Sequence, residues 1–344
     1  MNLRWTTRVL HPRHVFRISR ASRRVVRNVF VRIEADGVVG WGEASPNAFY
    51  GETCEQVEQR LLAARDWVSR LEISSTLDIE AAWRDGWRWL APSRAAQCAV
   101  DVALWDWFAR RRCKTVSELL WDDPPRPVRT FCTIGISDRD EFDEKLGEVR
   151  DFPRIKLKAD ANCGMDAVRR CRERSPAELA VDANCAWTRH DVETLLPQLA
   201  AAGVCFLEQP LPPGAETDLP RERVIPVFAD ESCVTEDDVD RVAEHFDGFN
   251  IKLVKCGGIT PARRMVLRGA ALGRGTMVGC MLESSLLISA GLAVAQRTAY
   301  ADLDGAWLLA DDPCEGWEFR CGVLHPPNSA GLGCRPTGVL ADRG

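Results

Sequence analysis

The sequence has no surplus of positive charge, no long unbroken apolar run and no closely paired cysteines, and each absence excludes a class of protein. Its 344 residues carry a formal net charge of −5, which gives no electrostatic footing for nucleic acid or an anionic membrane surface. Every longer apolar stretch is interrupted by polar or charged residues, so no membrane span is expected. The start, Met1-Asn2-Leu3-Arg4-Trp5, lacks the apolar core of a secretory signal, and a cytoplasmic protein is expected. Fourteen cysteines are present, yet no Cys-x-x-Cys occurs. Cys54, Cys98, Cys132, Cys205 and Cys280 sit in apolar patterns, where a cysteine acts as a small hydrophobe and not as a zinc ligand or half of a disulfide.

What is present is an ordinary globular composition, 46% hydrophobic and 28% charged, long enough for a large α/β barrel with a smaller unit attached. Residues 1 to about 60 read as strands and loops, with Asp36-Gly37 as a hairpin signal. The period then lengthens, and helices are predicted over 55–71, 78–90 and 93–112. Pro124-Pro125-Arg126-Pro127 marks a boundary. Beyond it, short apolar strands at 128–134, 154–158, 178–182, 204–208, 225–230, 249–254, 276–280 and 299–304 alternate with helix-length segments. That alternation predicts a parallel α/β barrel. The expected organisation is an α+β unit over 1–126, the barrel over 127–310, and a tail over 311–344 that returns to the first unit.

Lys156-Leu157-Lys158 puts two lysines on one face of a strand. Alone, such a pair reads as a solvated strand end. Lys158, Asp182, Glu208, Asp230 and Lys255, however, fall at successive strand ends, and in a parallel barrel those ends open at one mouth. Three crowded carboxylates need a cation, and three hard oxygen donors without His or Cys select Mg2+ or Mn2+. Asn184 and Glu231 are expected to support the metal site, with Gln209 beside them. A substrate carboxylate at such a site would place its α-carbon between lysines arriving from opposite sides. Lys158 suits proton transfer and Lys156 suits stabilising the resulting negative charge. On the far side Lys255 and Lys252 compete, and strand parity alone does not decide between them. Two further stretches stand out: the arginine-rich loop of Arg17, Arg20, Arg23 and Arg24, a candidate clamp for a carboxylate, and Asn47 to Gly51, a candidate aromatic wall.

Taken together, Lys156-x-Lys158, Val181-Asp182-Ala183-Asn184, Phe206-Leu207-Glu208-Gln209-Pro210, Ala229-Asp230-Glu231-Ser232, Asn250-Ile251-Lys252-Leu253-Val254-Lys255-Cys256-Gly257-Gly258 and Val278-Gly279-Cys280-Met281-Leu282-Glu283-Ser284 resemble the enolase superfamily, in its muconate-lactonizing-enzyme subgroup. The resemblance implies a modified (β/α)8-type barrel, (β/α)7β, under an α+β capping domain. It also implies Mg2+ on Asp182, Glu208 and Asp230, an enolate intermediate, and Lys158 and Lys255 as the acid/base pair. Asp302-Leu303-Asp304 puts two carboxylates on one face of the last strand, suited to an ammonium group. The pair resembles the motif with which dipeptide epimerases hold a free amino terminus. The expected activity is therefore Mg2+-dependent epimerisation at the C-terminal residue of a dipeptide, with Arg20, Arg23 and Glu283 also facing substrate. The alternative is o-succinylbenzoate synthase or N-succinylamino-acid racemase chemistry, which the acidic pair disfavours by repelling a succinyl group. The expected partners are the dipeptide itself and further copies of the chain in a homo-oligomer.

Overall fold

Asp36 and Gly37 both adopt positive φ, 53° and 71°, as a two-residue hairpin turn requires. They join Val26–Ala35 to Val38–Ala44 as an antiparallel pair. In this computed structural model, which describes residues 1–19, 21–160, 164–327 and 329–338, Asn2–Leu10 completes a three-stranded sheet. Helices Cys54–Ser69, Thr76–Leu90 and Arg94–Arg111 follow, close to the predicted ranges. Thr53 with Gln56 and Ser75 with Asp78 form capping boxes at the first two, satisfying backbone donors that would otherwise lack partners. The third is buried continuously from Ala95 to Ala109 because it lies between the small sheet and the barrel. On the sheet side Gly42 lets it approach: a Cβ there would sit 2.0 Å from the Ala99 carbonyl oxygen. On the barrel side the Trp105 indole donates to Thr260 Oγ1 at 2.9 Å.

The barrel is eight parallel strands, hydrogen-bonded in chain order: Cys132–Ile134, Arg154–Lys158, Glu178–Asp182, Val204–Glu208, Val227–Ala229, Gly248–Lys252, Gly275–Gly279 and Tyr300–Asp302. Phe131 N donates to Ala301 O at 2.9 Å and Leu303 N to Thr130 Oγ1 at 2.7 Å, drawing the last strand against the first. Helices Arg139–Val149, Gly164–Arg174, Arg189–Ala201, Val239–Ala243, Ile259–Ala271 and Ser285–Ala295 lie between the strands. Between Glu208 and Val227 the connection carries only a 3-10 turn, Glu216–Asp218. No helix among the described residues is long and apolar enough to cross a membrane.

Two strands differ from expectation. The predicted strand 128–134 is divided: Cys132–Ile134 belongs to the barrel, whereas Val128–Arg129 pairs with Val323–His325 of the tail. The predicted strand 249–254 ends at Lys252, and Leu253–Cys256 is a single helical turn. Gly257 and Gly258, with φ of 97° and 124°, end that turn and press against the third helix. A Cβ on either would meet Gln97 or Asp101 side-chain atoms at 2.6 and 2.3 Å. The tail also reaches the first unit, through His11 N to Asp311 at 2.7 Å and Leu332 N to Asp106 at 2.8 Å.

Inside the barrel an apolar layer of Phe131, Ala180, Phe206, Phe228 and Met277 packs with Tyr300. Phe131 and Phe206 meet edge to face at 5.5 Å. Beneath it, Arg154 lies over the Phe131 and Tyr300 rings and pairs with Glu178 at 2.7 Å. The polar side chains therefore gather above this layer, at the carboxyl ends of the strands.

Candidate active site

Asp182 and Glu208 are the last residues of their strands, and Asp230 directly follows the next one. All three are buried, and one oxygen from each lies within 4.8 Å of the others. Backbone geometry aims them. Asn184 and Gln209 both take positive φ, 45° and 36°, which asparagine tolerates and which is uncommon for glutamine. Asn184 donates to Asp182 through its backbone N–H at 2.8 Å and its Nδ2 at 3.1 Å, and its Nδ2 also reaches Glu231 at 3.4 Å. The Gln209 amide oxygen accepts from Asp230 N and Ser232 N at 2.8 and 3.1 Å. Asn250, which the sequence reading passed over, donates to Glu208 Oε1 at 2.6 Å. Its signal was present, because it lies two residues before Lys252 on the same strand face.

Burial, and then the Asp182 carboxylate, push Glu208 up to about 7. Burial opposes charge on Asp182 and Asp230 as well. There Lys158 and Lys156, and Lys252 and Lys255, outweigh it and hold both acids below the ordinary carboxylate range. Three hard oxygens from three strands, with no imidazole or thiolate among them, fit Mg2+ or Mn2+.

Four lysines surround this cluster, and they are not equivalent. Lys158 Nζ donates to Asp182 Oδ2 at 2.5 Å. Lys156 Nζ donates to Glu208 at 3.0 Å and also to Asp302. Burial disfavours its charge, but Asp302, Glu208 and Asp182 together raise it well above the usual lysine range, so it stays cationic. Lys252 Nζ donates to Asp230 Oδ2 at 2.7 Å. Lys255 Nζ lies within 3.0 Å of four acceptors: Asp230 Oδ1 and O, Cys233 O and Asn250 O.

Lys158 and Lys252 both line a cavity of about 610 Å3 that opens between the barrel mouth and the first unit, within the range of small-molecule sites. Their strands stand four places apart in the eight-stranded order, so the two ammonium groups enter from across the barrel. Lys255 is not among the lining residues. Of the two rivals, Lys252 lines the cavity, whereas the strand-to-helix change that follows it directs Lys255 to Asp230 and to backbone carbonyls.

Asp302 and Asp304 line the same cavity. Asp304 accepts from Thr133 N at 2.6 Å, and burial and then Asp302 push it up to about 6. Arg23, Asn184, Glu231, Phe49 and Tyr50 also line it, and the two rings meet edge to face at 5.0 Å. Of the other arginines, Arg17 is spent on Glu141 at 2.5 Å, Arg24 is exposed, and Arg20 lies outside the described residues. Glu283 does not line the cavity. It is buried, accepts from Met281 N at 2.9 Å, and is raised to about 8 by burial. In the structure it serves its own loop.

Comparison with known proteins bears on both units. Residues 4–121 match the mandelate racemase / muconate lactonizing enzyme N-terminal domain, and residues 141–338 match the enolase C-terminal domain-like family. An L-Ala-D/L-amino acid epimerase from Flavobacterium johnsoniae is 36% identical over 327 residues, covering 94% of this chain and 96% of its own. A hydrophobic dipeptide epimerase from a Flavobacteria bacterium is 34% identical over 339 residues, covering 94% and 95%. The crystal structure of a dipeptide epimerase from Methylococcus capsulatus, complexed with Mg and L-Arg-D-Lys, has a TM-score of 0.89. It is 31% identical and covers 97% of this chain and 98% of that one. With both units matched and relatives similar along nearly their whole length, the chain belongs to the mandelate racemase / muconate lactonizing enzyme family of the enolase superfamily.

Proposed function

We propose that this protein is a Mg2+-dependent dipeptide epimerase that inverts the α-carbon of the C-terminal residue by proton transfer between Lys158 and Lys252. The observation that carries the reading is the placement of these two lysines on opposite sides of the Asp182, Glu208 and Asp230 cluster, in one cavity with Asp302 and Asp304. Asp302 and Asp304 suit the substrate's ammonium group, whose full charge and three donors match two carboxylates. When bound by the three acids, the cation supplies positive charge that offsets theirs and stabilises negative charge on the substrate carboxylate.

With the dipeptide held at both ends, its C-terminal α-carbon lies between Lys158 and Lys252. One neutral amine removes the α-proton. The C–H electron pair passes into the carboxylate to give an enolate, and the opposite ammonium returns a proton to the other face. Lys156 stays charged throughout and stabilises the enolate oxygens, an electrostatic role suited to a group prepared in advance. The relatives named as dipeptide epimerases support this reading.

Incubating a dipeptide library with the protein and Mg2+ in heavy water, read by mass spectrometry, should show deuterium at the C-terminal α-carbon of accepted members. N-succinyl amino acids, which lack the ammonium, should stay unlabelled. No incorporation in any dipeptide would sink the epimerase reading.

A further inference from the structure

Lys255 is a buried lysine that the proposed proton transfer does not use. Its side chain has no exposed surface, and its ammonium has three hydrogens to divide among four acceptors between 2.6 and 3.0 Å. Three of those acceptors are backbone carbonyls: Asp230 O, Cys233 O and Asn250 O. The fourth is Asp230 Oδ1.

These acceptors belong to two adjacent barrel strands and the loop after one of them. Asp230 and Cys233 follow Val227–Ala229, while Asn250 lies within Gly248–Lys252. Asp230 offers its other oxygen to Lys252, and Asn250 extends its own side chain to Glu208 at 2.6 Å. One ammonium thus joins the strand end that carries one proposed metal ligand to the strand that steadies another. Removing it would take a donor from three buried carbonyls, of which Asp230 O keeps Cys233 N at 3.1 Å, and would leave the Asp230 carboxylate without one of its two cations, losses that are costly in a buried site. The chain around Lys255 is shaped to keep it there. Leu253–Cys256 is one helical turn, closed by Gly257 and Gly258 at positive φ, with no room for a Cβ against Gln97 and Asp101 of the third helix.

We propose that Lys255 is a positioning residue for the metal centre, holding Asp230 and Asn250 in the register that lets Asp230 and Glu208 meet one cation. This rests on the reading of the three acids as a divalent-cation site, but not on the identity of the substrate. The role differs from that of a base. A base acts on one face of the α-carbon, whereas a residue that holds a metal ligand affects both faces equally.

The test uses the full-length protein carrying Lys255→Met, with Mn2+ binding to the metal-stripped protein followed by electron paramagnetic resonance, and needs no substrate. The expected result is a dissociation constant about ten- to a hundredfold weaker than that of the unaltered protein, the usual cost of losing a residue that supports a ligand. With an accepted dipeptide, α-proton exchange of the two stereoisomers should fall by the same factor and partly recover as Mg2+ is raised. Undiminished Mn2+ affinity, or exchange lost for one stereoisomer alone, would overturn the proposal. If Lys255→Met does not fold, trace acetylation of the unaltered protein, with and without Mg2+, decides. Lys255 should resist the reagent while the exposed Lys114 reacts, and labelling of Lys255 equal to that of Lys114 would exclude the buried role. Mn2+ binding without exchange of any dipeptide would overturn the proposed function and leave the positioning role standing.

Discussion

The barrel presents lysines in pairs at two opposite strand ends, and the pairs are built differently. Lys156 and Lys158 are two residues apart on a continuous strand, so both point inward, one above the other. Lys252 and Lys255 are three residues apart across the point where strand becomes helix. There the pair separates, with Lys252 in the cavity and Lys255 under Asp230. On one side the inner lysine is directed at the protein's own carboxylates, Glu208 and Asp302, and on the other at Asp230 and three backbone carbonyls. The same residue type therefore serves different ends according to whether the backbone keeps its period of two.

The strongest way to break this comparison is to remove the two cavity lysines separately. Lys158→Ala and Lys252→Ala should each reduce epimerisation by roughly a hundredfold to ten-thousandfold, the span of general acid–base contributions. Each should spare exchange of only one stereoisomer, and the spared stereoisomers should be opposite. Nuclear magnetic resonance of α-proton loss in heavy water reads both results. If Lys252→Ala exchanges both stereoisomers normally, the two ends do not form a base pair.

A smaller loss should follow at the inner lysine of the first pair. Lys156→Met should lower kcat by about a hundredfold to a thousandfold, as removal of one prepared electrostatic donor does elsewhere. Exchange should fall for both stereoisomers alike. The loss should persist at saturating Mg2+, because the charge that Lys156 is proposed to stabilise lies on the substrate, in contrast to Lys255→Met. Steady-state kinetics at two Mg2+ concentrations separates the inner lysines by that response.

The smallest effect concerns stability at the second end alone. Asp101 packs behind Gly258 and accepts from Thr260 N and Oγ1 at 3.0 and 2.6 Å, and burial raises its carboxyl from 3.8 to about 7. A raised folded value means the unfolded chain gives up this proton first. The stabilisation is therefore complete below about 3.8 and is lost as pH rises to about 7. In Asp101→Asn, melting temperature should fall less steeply over that window than in the unaltered protein. An identical slope would show that this carboxyl does not titrate with folding.

The acids were legible because a barrel brings each strand end to the same mouth, so chain spacing alone gathers Asp182, Glu208 and Asp230. Lys156 and Lys158 were legible for the same reason, since their strand stays regular to its end. The end of the strand before Lys255 was not legible, because Asn250 to Val254 looks like one apolar-alternating strand, whereas it stops at Lys252 and a helical turn closed by Gly257 and Gly258 follows. The split at 128–134 was hidden in the same way: its first residues pair with Val323–His325, about two hundred positions away along the sequence. Glu283 and Arg17 had the chemistry of ligand contacts, but nearby partners, Met281 N and Glu141, had already claimed them.

The layer of Phe131, Phe206, Phe228, Met277 and Tyr300 under the charged cluster has a kinetic meaning. A barrel plugged from below by rings is a vessel with one opening. Among the described residues, the cavity that meets Lys158 and Lys252 is lined toward the first unit by Phe49, Tyr50 and Arg23, and exchange with solvent through it passes them. If the proposed epimerisation holds, how much isotope a single encounter washes in or out is set at that mouth.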